Sequence, residues 1–216
     1  MVFFAVKTKI KETMDNNKVV ILGTAHGINT PGKCSPYKKF REYKFSREVI
    51  NILKPKLEAL GLTVYIDIPH DEVPRPAGSE LAKRCRIVNA LCEKHGTKNC
   101  VYVSIHVNAA GSGGVWRTAR GFAVYVARQC SEASRRLAKS LCDTAIAMGL
   151  RGNRSIPKEH YWQANFYVIK NTRCPAVLTE NLFQDNHEDV EFLMSAEGKA
   201  KIVELHLKCI KAYCGV

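Results

Sequence analysis

The stretch CVYVSIHVNAAG, residues 100–111, shows how this chain is expected to fold. Its first half alternates valine and isoleucine with other residues, which is typical of a short buried β-strand. The strand ends on His106, after which small residues and glycine break the regular pattern. An ionisable group beside a core is costly unless it is paired or coordinated, so the position of His106 points to a site.

Two other apolar strands end in the same way. The strand in KVVILGTAHG, residues 18–27, runs into His26, and the strand in CPAVLTE, residues 174–180, ends on Glu180. In open α/β sheets, ligands bind in the crevice beyond the carboxyl ends of the strands. We therefore expect His26, His106 and Glu180 to converge on one spot if their strands are neighbours.

Segments with helical spacing of apolar residues separate the strands. Helices are predicted over residues 41–61, 79–96, 131–149, 186–195 and 195–214, and further strands over residues 62–68, 121–127 and 165–170. Pro55 is expected to kink the first helix. This alternation predicts a three-layer α/β fold, a twisted and mainly parallel sheet with helices on both faces. We expect a single domain at residues 18–216, preceded by an N-terminal extension at residues 1–17.

Composition restricts the classes of protein that fit. The chain has 216 residues and a net charge of +13, which favours anionic partners in general. Nine cysteines cannot all pair within one chain, and we expect reduced thiols that pack as small apolar residues, Cys85 and Cys92 among them. No apolar run reaches the length of a membrane span, and the start of the chain lacks the features of a secretory signal, so synthesis in the cytoplasm is expected.

Two histidines alone are a weak signal for a metal, whereas two histidines and a glutamate are a known ligand set for hydrolytic zinc. The third ligand is expected in the segment that follows His26. Glu42 is the favoured candidate because it begins the first helix, and Glu48 is the alternative. Several costly ionisable groups at one place indicate a functional site.

These residues resemble the zinc-dependent N-acetylmuramoyl-L-alanine amidases. That family has a histidine and glycine after its first strand, matched by LGTAHG, and a glutamate at the start of its first long helix, matched by Glu42. It also has a Ser-x-His-x-Asn motif, matched by SIHVNA, and a late Pro-Ala-Val-Leu-x-Glu motif, matched by PAVLTENLFQDN. The sequence departs from the family at Gly23 and Ala25, where the family has aspartate and glycine.

The resemblance implies one zinc ion per chain, held by His26, Glu42 and His106, with Glu180 as the catalytic acid and base. The implied reaction is hydrolysis of the amide between the lactyl group of N-acetylmuramic acid and L-alanine of the peptidoglycan stem peptide. Candidate substrate-binding residues are Asn108, Asn181 and Arg84.

The setting that fits is a phage or prophage endolysin that reaches the bacterial cell wall through a holin pore. Peptidoglycan is the expected partner. The positive charge would favour other anionic polymers of the envelope, and no nucleic-acid partner is expected.

Three alternatives remain open from the sequence. A zinc peptidase that cuts within the stem peptide would use the same chemistry. A basic nucleic-acid-binding module would bind DNA or RNA with a steep dependence on salt and would be indifferent to chelators. A cysteine hydrolase that pairs one of the nine thiols with His106 would be inactivated by alkylation.

Overall fold

The computed structural model describes residues 18–74, 79–112 and 114–216, so the predicted extension at residues 1–17 lies outside the described part. The strands are β1 (Val19–Thr24), β2 (Thr63–Ile66), β3 (Cys100–Asn108), β4 (Ala123–Val126), β5 (Trp162–Gln163) and β6 (Ala176–Phe183). The helices are α1 (Glu42–Glu58), α2 (Ser79–His95), α3 (Glu132–Ala147), α4 (Tyr167–Lys170), α5 (His187–Met194) and α6 (Ala196–Cys214).

Within the described residues, the strands form one six-stranded sheet in the order β2-β1-β3-β6-β4-β5, and only the β4–β6 pair of this sheet is antiparallel. Side chains of alternate residues in β1 and β3 pack into two hydrophobic cores, one on each face of the sheet. One core lies under α1, α3, α5 and α6, and the other lies under α2 and α4. The predicted three-layer, mainly parallel fold is therefore confirmed.

The prediction of a short strand at residues 165–170 is wrong. These residues instead contain the helix α4, while the adjacent edge strand β5 covers only Trp162–Gln163. Val168 and Ile169 are consecutive and both buried, in the same core as α2, whereas a half-buried strand would bury only alternate residues. Periodicity cannot distinguish helix from strand in so short an apolar run.

The first helix continues through Pro55 to Glu58, so the proline lies in its last turn. All nine cysteines are free, as expected, and Cys85 and Cys92 are buried. Among the described residues, no helix combines the length and the apolar character needed to cross a bilayer.

A serine of α1 fixes the helix against the ends of two strands. The Ser46 hydroxyl donates to the Ile105 carbonyl at 2.7 Å and accepts from the Ala25 amide at 2.9 Å. Ser46 is fully buried, so both hydrogen bonds are shielded from water. They hold the start of α1 across the carboxyl ends of β1 and β3.

Strands β3 and β6 are parallel neighbours, and their register places His106 beside Glu180. The register shifts just after this pair, between His106 and Asn108, and Leu182 has a φ of 65°. Such a bulge re-aims the side chains that follow it and is frequent next to functional sites. The sheet therefore brings His106 and Glu180 to the same edge, and the regular pairing of β3 with β6 ends just after them.

Gly23 in β1 lies against the ring of Tyr102 in β3. A Cβ at position 23 would lie 2.7 Å from Tyr102 Cζ. Tyr102 is fully buried, and its hydroxyl donates to Asp67 Oδ2 at 2.9 Å, so the ring cannot move away without breaking this hydrogen bond. The position thus has no room for the aspartate of the family pattern.

Replacing Gly23 with alanine is expected to destabilise the fold by about 1–3 kcal/mol, because it overpacks a dense core. The measurement is urea unfolding of the single variants Gly23→Ala and Tyr102→Phe and of the double variant. The phenylalanine removes the hydroxyl that crowds the new methyl group. The double variant should therefore lose less stability than the two single losses combined. Strictly additive losses would contradict this explanation.

Candidate metal centre

His26, Glu42 and His106 meet at the carboxyl edge of the sheet. One ligand atom from each lies within 4.8 Å of the other two. Glu42 stands between the imidazoles, with His26 Nε2 at 3.5 Å from Oε2 and His106 Nδ1 at 3.0 Å from Oε1. The two rings meet edge to face, with their centroids 5.3 Å apart.

Each of the three residues comes from a different element. His26 follows β1 with a φ of 43°, a left-handed conformation that histidine adopts more readily than most residues. Glu42 is the first residue of α1 and is only 2% exposed. His106 lies near the end of β3, and the Val107 amide donates to Glu42 Oε1 at 3.2 Å.

The protonation of the cluster suits a cation. Burial lowers the pKa of His26 to about 3, so its imidazole is neutral at physiological pH. Burial by itself would raise the pKa of Glu42, but the hydrogen bond with His106 and the nearby imidazoles outweigh it and hold that pKa below its usual value. Neutral imidazole and ionised carboxylate are the forms that bind metals.

Glu180 faces the same edge from β6, paired in register with His106 on one side and Ala123 on the other. Its Oε2 is buried and has no hydrogen-bond partner within residues 18–74, 79–112 and 114–216. Burial and the charge of Glu42 raise its pKa well above the usual value, while the charges of Lys33 and Arg154 oppose that rise. A buried carboxylate oxygen without a partner is costly and needs an explanation in function.

The donor set fits a zinc ion. Two imidazoles and one carboxylate leave a fourth position of a tetrahedron open, as catalytic zinc sites do. Among the residues that the structure describes, no other group of three such side chains comes as close together. The orphaned oxygen of Glu180 adds an unused acceptor at the same edge.

The alternative ligand Glu48 lies away from this centre. It is partly exposed and pairs with Lys199, at 2.7 Å, and with Lys44 on the same helix. The ring nitrogens of His106 face Glu42 and Ser104, neither of which is a thiol. The arrangement therefore gives no support to a cysteine nucleophile paired with this histidine.

The three candidate substrate residues occupy different environments. Asn108 is half-buried, and its side chain accepts from the Ala109 amide. Asn181 is fully buried and donates to the His106 carbonyl at 2.9 Å, so it supports the strand that carries His106. Arg84 is only 2% exposed and forms a 2.8 Å ion pair with Asp67. The substrate role expected for Arg84 does not fit this position, because its guanidinium faces the protein interior.

Arg84 instead belongs to a buried network that holds the His26 loop. Its guanidinium donates to the His26 carbonyl at 3.2 Å, and Arg47 donates to the same carbonyl at 3.0 Å. Asp67 balances part of this charge and also accepts from the Thr24 amide. The strained backbone of His26 is thus fixed from two sides. Sequence reasoning missed Arg47 and Asp67, although Asp67 directly follows β2 and carries the same strand-end signal as His26.

A mainly parallel sheet that gathers two imidazoles and two carboxylates at its carboxyl edge defines an α/β enzyme with a candidate metal centre. Residues 20–212 match the family Amidase_3, described as N-acetylmuramoyl-L-alanine amidase. The chain is also 31% identical over 206 residues to the endolysin of Bacillus phage SPP1, a match that covers 89% of this chain and 68% of the endolysin. The chain therefore belongs to the N-acetylmuramoyl-L-alanine amidase family and is a hydrolase.

Solved structures agree on the fold. The catalytic domain of the amidase CwlV from Bacillus (Paenibacillus) polymyxa var. colistinus superposes with a TM-score of 0.73 at 24% identity, covering 92% of this chain and 99% of that domain. The amidase Ami1 from Mycobacterium smegmatis gives a TM-score of 0.77 at 20% identity, covering 92% of this chain and 97% of Ami1. The resemblance stated from the motifs is confirmed.

Proposed function

We propose that this chain is a zinc-dependent amidase that hydrolyses the bond between the lactyl group of N-acetylmuramic acid and L-alanine of the stem peptide. The observation that carries the proposal is the cluster of His26, Glu42 and His106, whose ligand atoms lie within 4.8 Å of one another. Glu180 is the register partner of His106, which places a carboxylate beside that cluster.

His26, Glu42 and His106 would hold the zinc ion. A bound zinc ion supplies Lewis acidity, which polarises a carbonyl and lowers the pKa of bound water to roughly 7. An amide is hard to hydrolyse because water is a weak nucleophile and an amine leaves poorly as an anion. Holding a zinc ion helps the water to attack, but it does not supply the proton that the leaving amine needs.

Glu180 supplies the proton transfer. Its carboxylate takes a proton from the attacking water and then delivers it to the departing nitrogen, so one residue acts as base and then as acid. Burial and the charge of Glu42 raise the pKa of Glu180 in the metal-free protein, and the charge of a cation held by the cluster would lower it toward the ionised form that a base requires. Asn181 keeps the His106 backbone in place while the proton moves.

The proposed setting is lysis by a phage or prophage endolysin. The relative from phage SPP1 is named an endolysin, and this chain spans about two thirds of its length. In this proposal the enzyme is made in the cytoplasm and leaves through a holin pore. The net charge of +13 would retain it on anionic polymers of the envelope.

Peptidoglycan digestion separates this proposal from the alternatives. Purified zinc-loaded protein incubated with isolated peptidoglycan is expected to release whole stem peptides with N-terminal L-alanine and to leave the glycan strands intact. Product peptides are identified by mass spectrometry and N-terminal labelling. A chelator should stop the release, and added zinc should restore it. New N-termini inside the stem peptide would favour the peptidase, and unchanged peptidoglycan after long incubation would overturn the proposal.

A further inference from the structure

Arg154 is held in an unusual environment near the catalytic edge. Its guanidinium carbon lies 5.1 Å from the ring centroid of Trp162 and 5.6 Å from that of Phe183. Trp162 belongs to the edge strand β5, and Phe183 is the last residue of β6. Cation–π contacts with two aromatic rings limit the freedom of the guanidinium to swing toward solvent.

One nitrogen of this guanidinium is left without a partner. Nη1 of Arg154 is buried and makes no hydrogen bond with any residue that the structure describes. Among the described residues, it is the only buried cationic nitrogen in that state. A buried charged donor without an acceptor is costly, and proteins rarely retain one without a use for it.

The unpartnered nitrogen belongs to the same region as Glu180. Phe183 lies three residues beyond Glu180 on β6 and is the register partner of Asn108, just past the bulge after His106. Burial raises the pKa of the Glu180 carboxyl and the charge of Arg154 opposes that rise, in agreement with this placement along β6. The residue as a whole is half-buried, so part of Arg154 is exposed to solvent although Nη1 itself is not.

We propose that Arg154, between Trp162 and Phe183, forms a subsite that binds a carboxylate of the substrate. A rigid planar guanidinium with an open donor matches the geometry of a carboxylate. This inference rests on the proposed function, which places the stem peptide at this edge. The free carboxylate nearest to the scissile amide is the α-carboxylate of the second residue of the stem peptide. Arg154 therefore selects stem peptides in which this carboxylate is free over those in which it is amidated.

The test compares two N-acetylmuramoyl tripeptides that differ only in whether the α-carboxylate of the second residue is free or amidated. Wild-type protein is expected to cleave the free acid with a kcat/KM about 10- to 100-fold higher, the range of a charge-assisted hydrogen bond. Arg154→Gln should remove that preference, mainly by raising KM for the free acid. Arg154→Lys should keep part of it.

Arg151→Gln is the matched control, because Arg151 is an exposed arginine three residues away, and it should behave as the wild type. Equal losses on both substrates in Arg154→Gln, or no preference in the wild type, would overturn the inference. A second measurement is calorimetric binding of the two tripeptides without their N-acetylmuramoyl group, one with the α-carboxylate unmodified and one with it amidated. This measurement needs no turnover. If these peptides bind with the expected Arg154-dependent preference but neither substrate is cleaved, the proposed function fails while the subsite stands.

Discussion

Replacing Glu180 with glutamine is expected to lower kcat for stem-peptide release by about 10²–10⁴-fold, the usual contribution of a general acid–base group. The amide of glutamine fills nearly the same space but can neither accept nor deliver the proton. Because Glu180 is not among the three clustered ligands, the variant should still bind about one zinc ion per chain. The measurements are single-substrate kinetics and metal analysis of the same preparation.

The stability of this variant separates a lost proton transfer from a damaged fold. Unfolded glutamate ionises near its usual pKa, whereas the folded Glu180 carboxyl has a raised pKa and keeps its proton to higher pH. The metal-free wild type therefore loses stability as the pH rises from the unfolded to the folded pKa, and glutamine removes that loss. Above this window, the variant should melt at the same temperature as the wild type or higher.

Glu48→Gln is the control for this experiment, since Glu48 is a partly exposed carboxylate that pairs with lysines. It should keep wild-type kinetics. If Glu180→Gln kept more than a tenth of the wild-type kcat, Glu180 would not be the acid and base. If it melted well below the wild type, its lost activity would reflect unfolding rather than lost proton transfer.

The elements that carry the candidate centre could be predicted because they depend on local patterns. A strand that ends on His106 or Glu180 is visible in the sequence, and the rule that parallel strands present their carboxyl ends together then brings the residues to one edge. Glu42 could be selected because it begins a helix after His26. These inferences needed only the order of the elements and no knowledge of packing.

The support of the centre could not be predicted in this way. Arg84 was a candidate for binding substrate, yet it is buried with Asp67, because their ion pair depends on how α2 packs against the sheet. From the sequence alone, a charged residue in a helix is expected on the solvent-exposed face, because its partner on another element is not known. Arg154 was likewise missed, since its two stacking rings come from separate strands.

The departure from the family at Gly23 has a physical account in this chain. The family's aspartate would need the space that the Tyr102 ring fills. Tyr102 and Arg84 both direct their polar groups to Asp67, so the carboxylate that directly follows the neighbouring strand β2 lies close to the His26 loop.

Replacing His26 with asparagine is expected to weaken zinc binding by more than about 100-fold, because even the loss of an outer partner of a zinc ligand costs about 10–100-fold. Asparagine is chosen because it tolerates the left-handed backbone found at position 26, where φ is 43°. The side chain of His26 is only 18% exposed but lies at the open edge of the site, so its loss should leave the fold intact. Zinc affinity is measured by competition with a chromogenic chelator.

His70→Asn is the matched control, because His70 is an exposed loop histidine whose carbonyl, not its ring, accepts from Arg47. It should bind zinc as the wild type does. Since burial lowers the pKa of His26 to about 3, protons do not compete with zinc for this ring between pH 5 and 8. The difference between the two variants should therefore persist across that range. If His26→Asn kept wild-type zinc affinity at neutral pH, His26 would not be a ligand and the centre would have to lie elsewhere.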